Sequence, residues 1–345
     1  MIENCKLEIE NFEHMINPKA KLSEKLFKKD IDVLATRQGY GEGVVIAGEK
    51  DERVVVLCAD LTESTRSILF KEKFPNRFIE MGVAEQALAT IGAGMANYGK
   101  IPFISSYAAF SPGRNWEQIR TTIALNDVPV KIVGAHAGIS VGPDGATHQM
   151  LEDIALMRSL PNMIVISPAD AVEAKKAVMA MAKNIQPNYI RLGREKTPVM
   201  TSENTPFKLG KVEIFWESKD PQVTIIATGP LVYEALIAAK ELSKSKIESL
   251  VINVHTIKPL DEQAIIKAAK MTGAIVTVEE HQITGGLGGA VAETLSRNFP
   301  TPIEYIGMPD SFGESGDPDK LLTKYKMKSK DIVSAAKRVI SRKER

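Results

Sequence analysis

Cysteine is scarce in this sequence, which contains only Cys5 and Cys58 among its 345 residues. Cys5 lies in a polar N-terminal stretch and Cys58 in an apolar, strand-like run, so we expect no disulfide framework and a reducing compartment. Long apolar runs are also lacking, and the acidic N-terminal stretch has no apolar core of a signal peptide. These absences argue against a secreted or membrane-spanning protein and predict a cytoplasmic one.

Charge of one sign is not in excess either, because the sequence has 44 Lys and Arg residues and 43 Asp and Glu residues. A net charge of +1 gives no electrostatic reason for binding nucleic acid or a membrane surface, although a local basic patch could still hold a phosphate group. With 44% hydrophobic and 25% charged residues, the composition is that of a globular protein long enough for two domains.

Short β-branched runs alternate with longer segments of helical periodicity from residue 53 onward. Strands are predicted at 53–59, 102–106, 129–135, 163–167, 223–229, 249–253 and 274–280, and helices at 84–98, 115–126, 151–159, 171–182, 233–243 and 261–272. The strands are continuous apolar runs, which is typical of parallel strands covered on both faces. The pattern predicts an α/β protein with two doubly wound domains and mostly parallel sheets.

A polar, proline-bearing stretch at 196–222 interrupts this alternation and is predicted to be an inter-domain linker. The alternation resumes at residue 223. We therefore expect an N-terminal arm at 1–19, a first domain at 20–195 and a second, smaller domain at 223–345.

Glu85 opens a predicted helix that is otherwise almost wholly small and apolar. A glutamate in the first turn of a helix commonly does no more than interact with the helix dipole. An all-round apolar helix is expected to be buried, however, and an ionisable group on it is costly without a partner. A functional role for Glu85 therefore stays open beside the structural one.

Two of the five histidines and an aspartate, His136, Asp144 and His148, lie in one glycine-rich stretch. Glycine lets the backbone approach a ligand closely, and histidine with aspartate supplies hydrogen bonds and proton transfer. This cluster is as typical of a ligand-binding or catalytic site as of a solvated loop. A metal site is less favoured, since no third ligand has suitable spacing. Tyr107 and Phe110 follow a strand where open α/β sheets bind ligands, although core packing would equally explain aromatic residues there.

An ordered set of motifs resembles the pyrimidine-binding and C-terminal domains of transketolases from about residue 20 to the end. The motifs are ATR (35–37), ADLT (59–62), RFIE and GVAEQ (77–86), SYAAF (106–110), GAHAGISVGPDGATHQ (134–149), LEDIA and RSLPN (151–162), YIRLGR (189–194) and TIKPLD (256–261). Their order and spacing both match the family, so the resemblance is specific.

The resemblance implies that the chain binds the pyrimidine ring of thiamine diphosphate. Glu85 matches the family's glutamate that bonds N1′ of the aminopyrimidine and so activates the cofactor. Tyr107 and Phe110 match aromatic residues that pack on the ring, and Asp60 and Leu61 match residues that line the cofactor at a subunit interface.

One segment departs from the family. The stretch 111–116 is about one residue longer than in most members. The extra length leaves open whether Trp116 adds a third aromatic contact to the pyrimidine ring.

Six residues match the family's contacts to sugar phosphates: Arg37, Ser64, His136, Asp144, His148 and Arg191. The two histidines and the aspartate hold sugar hydroxyls, and both histidines are catalytic candidates, His148 as a proton carrier. The two arginines and the serine match the phosphate-binding set, in which a guanidinium grips phosphate with two hydrogen bonds. The implied reaction transfers a two-carbon ketol unit between phosphorylated sugars, as in the pentose phosphate pathway.

The diphosphate-binding part of the family, with its GDG magnesium motif, has no counterpart here, because the sequence contains no GDG. The resemblance therefore implies the second subunit of a split transketolase. Its partner would be a GDG-bearing subunit that holds the diphosphate and the magnesium, this chain would hold no metal, and a self-dimer with two partner chains would make a heterotetramer.

Three alternatives remain at this stage: the C-terminal half of deoxyxylulose phosphate synthase, the E1 β subunit of a 2-oxoacid dehydrogenase, and a non-catalytic regulatory subunit. The ATR and GPDGATHQ motifs fit transketolase better than the E1 β subunit, since a ketose phosphate needs these contacts. The synthase shares GVAEQ and DGxTHQ and is the nearer rival. The intact Glu85, His136, Asp144 and His148 argue against a regulatory subunit.

Overall fold

Parallel β-sheets organise both halves of the chain in a computed structural model, which describes residues 15–343. The strands in this range are β1 (Val33–Ala35), β2 (Val54–Cys58), β3 (Phe78–Glu80), β4 (Ile101–Tyr107), β5 (Lys131–Ala135), β6 (Ile164–Ile166), β7 (Asn188–Arg191), β8 (Lys196–Pro198), β9 (Glu213–Glu217), β10 (Val223–Ala227), β11 (Ser249–Asn253), β12 (Thr256–Lys258), β13 (Ile275–Gln282) and β14 (Ile303–Met308).

Helices follow most of the parallel strands. They are α1 (Thr36–Lys50), α2 (Ile68–Lys73), α3 (Glu85–Asn97), α4 (Trp116–Gln118), α5 (Asp153–Arg158), α6 (Ala171–Lys183), α7 (Val232–Lys244), α8 (Glu262–Thr272), α9 (Leu287–Asn298), α10 (Pro318–Lys324) and α11 (Ser329–Lys343). Helix α4 continues as a π-helix over Ile119–Ala124, and short 3₁₀ helices lie at Pro18–Ala20, Pro75–Arg77, Ile139–Asp144 and Gly229–Leu231. No helix between residues 15 and 343 combines the length and the apolar character that crossing a membrane requires.

The first sheet has the strand order β12-β6-β7-β5-β4-β2-β3, in which every pair except β12–β6 is parallel. The second has the order β14-β13-β10-β11-β9, with only β9 antiparallel to its neighbour. Continuous apolar runs such as β2 and β10 are buried at every position, as two-sided covering by helices requires. The predicted fold class is confirmed.

The predicted linker at 196–222 contains two strands, β8 and β9. Strand β8 pairs with β1, and β9 forms an edge of the second sheet ten residues before the predicted start of that domain. Phe215 and Trp216 in β9 are fully buried, so apolar packing recruits this segment although prolines and polar residues surround it. Residues 1–14 of the predicted arm lie outside the described range.

Helix α3 is not buried on all sides, contrary to the expectation from its composition. Leu88, Ala89 and Ala93 face the core, whereas Gln86, Ala87, Thr90, Ile91 and Gly94 are exposed. Val83 and Tyr98, which flank the helix, are also exposed. The chain therefore presents an apolar helix face that its own fold does not cover.

Strands β2, β4 and β5 are neighbours in the first sheet and end at the same edge. Tyr107 is the last residue of β4, His136 directly follows β5, and Asp60 lies two residues after β2. Residues that are far apart in sequence therefore lie at the same edge of the sheet. Asp60 and His136 both adopt left-handed backbone conformations, with φ of 55° each. Such conformations in residues other than glycine are costly and occur preferentially at functional sites.

Candidate active site

Glu85 is the first residue of α3 and is only 2% exposed. Its Oε2 accepts a hydrogen bond from Nη1 of Arg114 at 3.0 Å, and its backbone carbonyl accepts one from Nδ2 of Asn115 at 2.8 Å. The side chain of Glu85 is thus enclosed, whereas that of its charged partner Arg114 is 51% exposed. Glu85 is therefore a buried and paired carboxylate and not a solvated helix cap.

Arg114 comes from the lengthened segment 111–116 and was not among the predicted site residues. Its guanidinium lies 5.0 Å from the ring centroid of Phe110 and so bridges that ring to Glu85. The turn requires glycine at 113, because a Cβ there would lie 2.1 Å from the carbonyl oxygen of Ala109.

Trp116 does not join this group. Its Nε1 donates to the carbonyl of Leu156 at 3.1 Å and its ring packs on the main core cluster, so the structure gives no support to a third ring contact from this residue.

Four rings form one cluster at the ends of β4 and β5. Tyr107 stacks on His136 with centroids 3.8 Å apart and on Phe110 with centroids 6.1 Å apart. His148 meets Phe110 edge-on at 5.3 Å and Tyr107 at 6.2 Å. The two predicted groups, the aromatic pair and the two histidines, are thus brought together in a single cluster.

The two histidines differ in their surroundings. Burial lowers the pKa of His136 to about 3, and the nearby positive charges of Arg37 and Arg194 act in the same direction. His136 is therefore a neutral imidazole, a hydrogen-bond partner rather than a carrier of positive charge. His148 is partly exposed, and its Nδ1 lies 2.9 Å from the hydroxyl of Thr147.

Basic side chains gather at the far end of the ring cluster. Nη1 of Arg37 donates to the carbonyl of Ser64 at 2.7 Å and lies 3.5 Å from Nε2 of His136. Burial and the charges of Arg66 and Arg194 lower the pKa of Arg37. Like charges placed so close together are unfavourable unless an anion neutralises them, and a phosphate group would do so.

The position of Arg191 contradicts the prediction that this residue binds phosphate. Its side chain is 5% exposed, its Nε donates to Oδ2 of Asp153 at 2.9 Å, and its Nη2 donates to the carbonyl of Glu280 at 2.6 Å. Arg191 is the last residue of β7 and points into the protein, whereas Arg194 emerges three residues later beside Arg37. Arg194 replaces it in the basic group, held by a 2.7 Å hydrogen bond to the carbonyl of Val141.

The remaining predicted residues are Asp60, Leu61 and Asp144. Asp60 is exposed, and its backbone N–H donates to Oε1 of Glu80 at 2.8 Å, while Leu61 is partly buried beside it. Asp144 is exposed at the end of the 3₁₀ helix in the glycine loop, as we call residues Gly138–Met150. These three residues lie near the site but outside the ring cluster.

The chemistry of these residues fits the pyrimidine half of thiamine diphosphate. Glu85 offers a buried carboxyl for a ring nitrogen, and Phe110 a partly exposed aromatic face for the ring. Within residues 15–343, no three His, Cys, Asp or Glu side chains are grouped so as to hold a metal ion.

Two family models cover most of the chain. Residues 32–200 match the transketolase pyrimidine binding domain, and residues 210–332 match the transketolase C-terminal domain. A putative transketolase C-terminal section from Methanocaldococcus jannaschii is 45% identical over 307 residues, which cover 88% of this chain and 95% of that protein.

Solved structures agree with these matches. A split gene transketolase, described as an inactive β4 tetramer, is 42% identical and has a TM-score of 0.83 over 89% of this chain and 99% of that one. The transketolase of Campylobacter jejuni is 26% identical, with a TM-score of 0.76 over 95% of this chain but only 50% of that one.

Proposed function

Because this chain belongs to the transketolase family, we propose that it is a subunit of a thiamine-diphosphate-dependent transketolase that transfers a two-carbon ketol unit between phosphorylated sugars. One observation carries the proposal. Successive contacts run from Glu85 through Arg114, Phe110 and the ring cluster to Arg37, so a buried carboxyl group and a basic group lie at opposite ends of one candidate site. A cofactor ring at one end and a sugar phosphate at the other would use both.

Each end has a distinct task in this proposal. Bound thiamine diphosphate would supply the nucleophilic carbon, as it does throughout cofactor-assisted ketol chemistry. Glu85 would hold a proton at the pyrimidine nitrogen, and Phe110 would fix the plane of the ring. His148 would move protons at the sugar hydroxyls, while His136, being neutral, would orient them by hydrogen bonds.

The phosphate of the sugar would lie between Arg37 and Arg194, beside Ser64. Two guanidiniums converging on one anion give both charge and direction. Such anchoring holds the reacting end of the sugar at the ring cluster and reduces the entropy lost in reaction.

The diphosphate and its magnesium ion would be held by a separate subunit. Two similarities support this part: one relative is described as a C-terminal section, and one structural neighbour as a split gene transketolase whose β4 tetramer is inactive. The exposed apolar face of α3, next to Glu85, supports self-association at the cofactor end of the site. The scarcity of cysteine favours a cytoplasmic assembly.

The experiment is to mix the purified chain with a diphosphate-binding transketolase subunit, thiamine diphosphate and magnesium, and to assay ketol transfer. We expect no activity from either chain alone, activity in the mixture, and a mass by light scattering of two copies of each chain. Full activity of this chain alone would refute the need for a partner. Absence of transfer in a correctly assembled complex would refute the enzymatic role and favour a regulatory subunit.

A further inference from the structure

The glycine loop, Gly138–Met150, has little regular structure of its own. It consists of the 3₁₀ helix Ile139–Asp144 and a following turn, and three of its glycines, at 138, 142 and 145, have φ between 72° and 93°. One isolated β-bridge, between Ala137 and Met150, joins the two ends of this segment. Glycine loses more backbone conformational entropy on folding than other residues do. Contacts with the rest of the protein must therefore fix the conformation of the loop.

Arg194 of the first domain supplies one of these contacts, to the carbonyl of Val141 at 2.7 Å, and the second domain supplies others. Oε1 of Glu280, on β13, accepts the backbone N–H of Ser140 at 2.7 Å. Glu280 is 5% exposed, and a Cβ at Gly138 would lie 2.3 Å from the same oxygen, so the loop backbone packs directly on the carboxyl group. A buried acceptor for a backbone N–H at the start of a loop is a capping contact between domains.

Further contacts join the end of the loop to the same part of the second domain. Nη2 of Arg191 lies 2.6 Å from the carbonyl oxygen of Glu280 and 3.4 Å from that of Met150. Nε2 of Gln149 lies 3.2 Å from the carbonyls of Ile139 and Gly142 and 2.8 Å from that of Glu314. Both ends of the loop are therefore bound to the second domain.

We propose that Glu280 is a positioning residue for sugar binding: its side-chain acceptor, supported by Gln149, fixes the loop that carries Asp144 and His148. This inference rests on the proposed function, in which those two residues contact the sugar. It gives the second domain a part in the site although its own side chains do not enter the ring cluster.

The matched variants are Glu280→Met and Glu280→Gln in the full chain. Both are neutral and of similar length, but only glutamine keeps an oxygen for the N–H of Ser140. Glu293→Met is the control, because Glu293 also bridges the domains, through Arg158, but contacts no part of the glycine loop. If Glu280→Met does not fold, Gln149→Met removes the second set of loop contacts in its place.

Two measurements decide the matter. Amide hydrogen exchange of the isolated chain should become about tenfold faster or more in residues 138–150 of Glu280→Met, and change little in Glu280→Gln and Glu293→Met. In the assembled enzyme, kcat/KM for the sugar phosphates should fall about tenfold or more in Glu280→Met alone, with the apparent affinity for thiamine diphosphate unchanged.

Equal behaviour of the methionine and glutamine variants, or unchanged exchange in the loop, would overturn the inference. So would faster exchange with unchanged kcat/KM, because the loop contact would then be structural only. A complex of unsubstituted chains without ketol transfer would refute the proposed function instead, and the exchange data would still show whether Glu280 fixes the loop.

Discussion

The replacement Glu85→Gln separates the two roles that this glutamate could have. Glutamine keeps the shape of the side chain and can still accept a hydrogen bond from Arg114, but it cannot take up and return a proton. The loss to stability is set by one ion pair of 3.0 Å whose arginine side chain is 51% exposed. Pairs exposed on one side are screened by water, so the free energy of unfolding should fall by about 1 kcal/mol or less.

The loss to catalysis should be much larger. Removing one acid–base group usually lowers a rate by about 10²–10⁴, which raises the activation barrier by about 2.7 kcal/mol or more. The two magnitudes therefore differ enough to tell a catalytic group from a helix-terminal ion pair.

The assay is ketol transfer by the assembled complex at saturating thiamine diphosphate, together with exchange of the cofactor's C2 proton for deuterium. Arg114→Gln is the matched control, since it removes the same ion pair and leaves the carboxylate of Glu85 in place. Stability measured by urea unfolding should fall at least as much in Arg114→Gln, which leaves the buried carboxylate of Glu85 without its charged partner, as in Glu85→Gln. Proton exchange should fall by two orders of magnitude only in Glu85→Gln. Normal exchange of the C2 proton in Glu85→Gln, or an equal loss of this exchange in both variants, would refute the reasoning.

Two further predictions concern arginine and glutamate residues away from the cofactor end. Arg194→Ala should raise KM for phosphorylated sugars about tenfold or more with little loss of stability. Arg191→Ala, which leaves the carboxylate of Asp153 buried without its charged partner, should lower the free energy of unfolding by about 3–5 kcal/mol. Initial rates and urea unfolding measure both, and equal effects of the two changes would contradict the assignment. Burial, assisted by the neighbouring Asp170, raises the pKa of Glu173 to about 8. Because the native state then holds a proton that the unfolded chain releases near pH 4.5, stability should fall as pH rises from about 5 to about 8, and Glu173→Gln should flatten this fall in urea unfolding across that range. A pH dependence unchanged by the substitution would show that Glu173 is ionised throughout.

The sequence was sufficient for the fold class because the parallel strands are uninterrupted apolar runs whose period differs clearly from that of the helices between them. It was less informative about β9 and β12, which are short edge strands. Their pairing depends on partners that lie more than 30 residues away in β11 and more than 80 residues away in β6, and no local pattern encodes such partners.

For the candidate site, the family motifs predicted Glu85, which the structure places at the start of α3, and Phe110 and His136, which it brings into the ring cluster. The motifs do not give the direction of the Arg191 side chain. Whether an arginine near the end of a strand points inward or outward depends on where the pairing of that strand ends. Pairing of β7 with β5 extends to Arg191, whereas Arg194 lies beyond this pairing and near Arg37. Arg114 could not be predicted because its contact with Glu85 depends on the path of a turn with one additional residue.

The antiparallel strand β12 has a consequence for any attempt to divide the protein. It follows β11 of the second sheet, yet it covers the edge strand β6 of the first sheet. A fragment ending anywhere in 196–222 would leave the backbone groups of the apolar strand Ile164–Ile166 unpaired along an open edge. Such a fragment should aggregate, and the two halves are better expressed as one polypeptide than combined as separate modules in a chimaera.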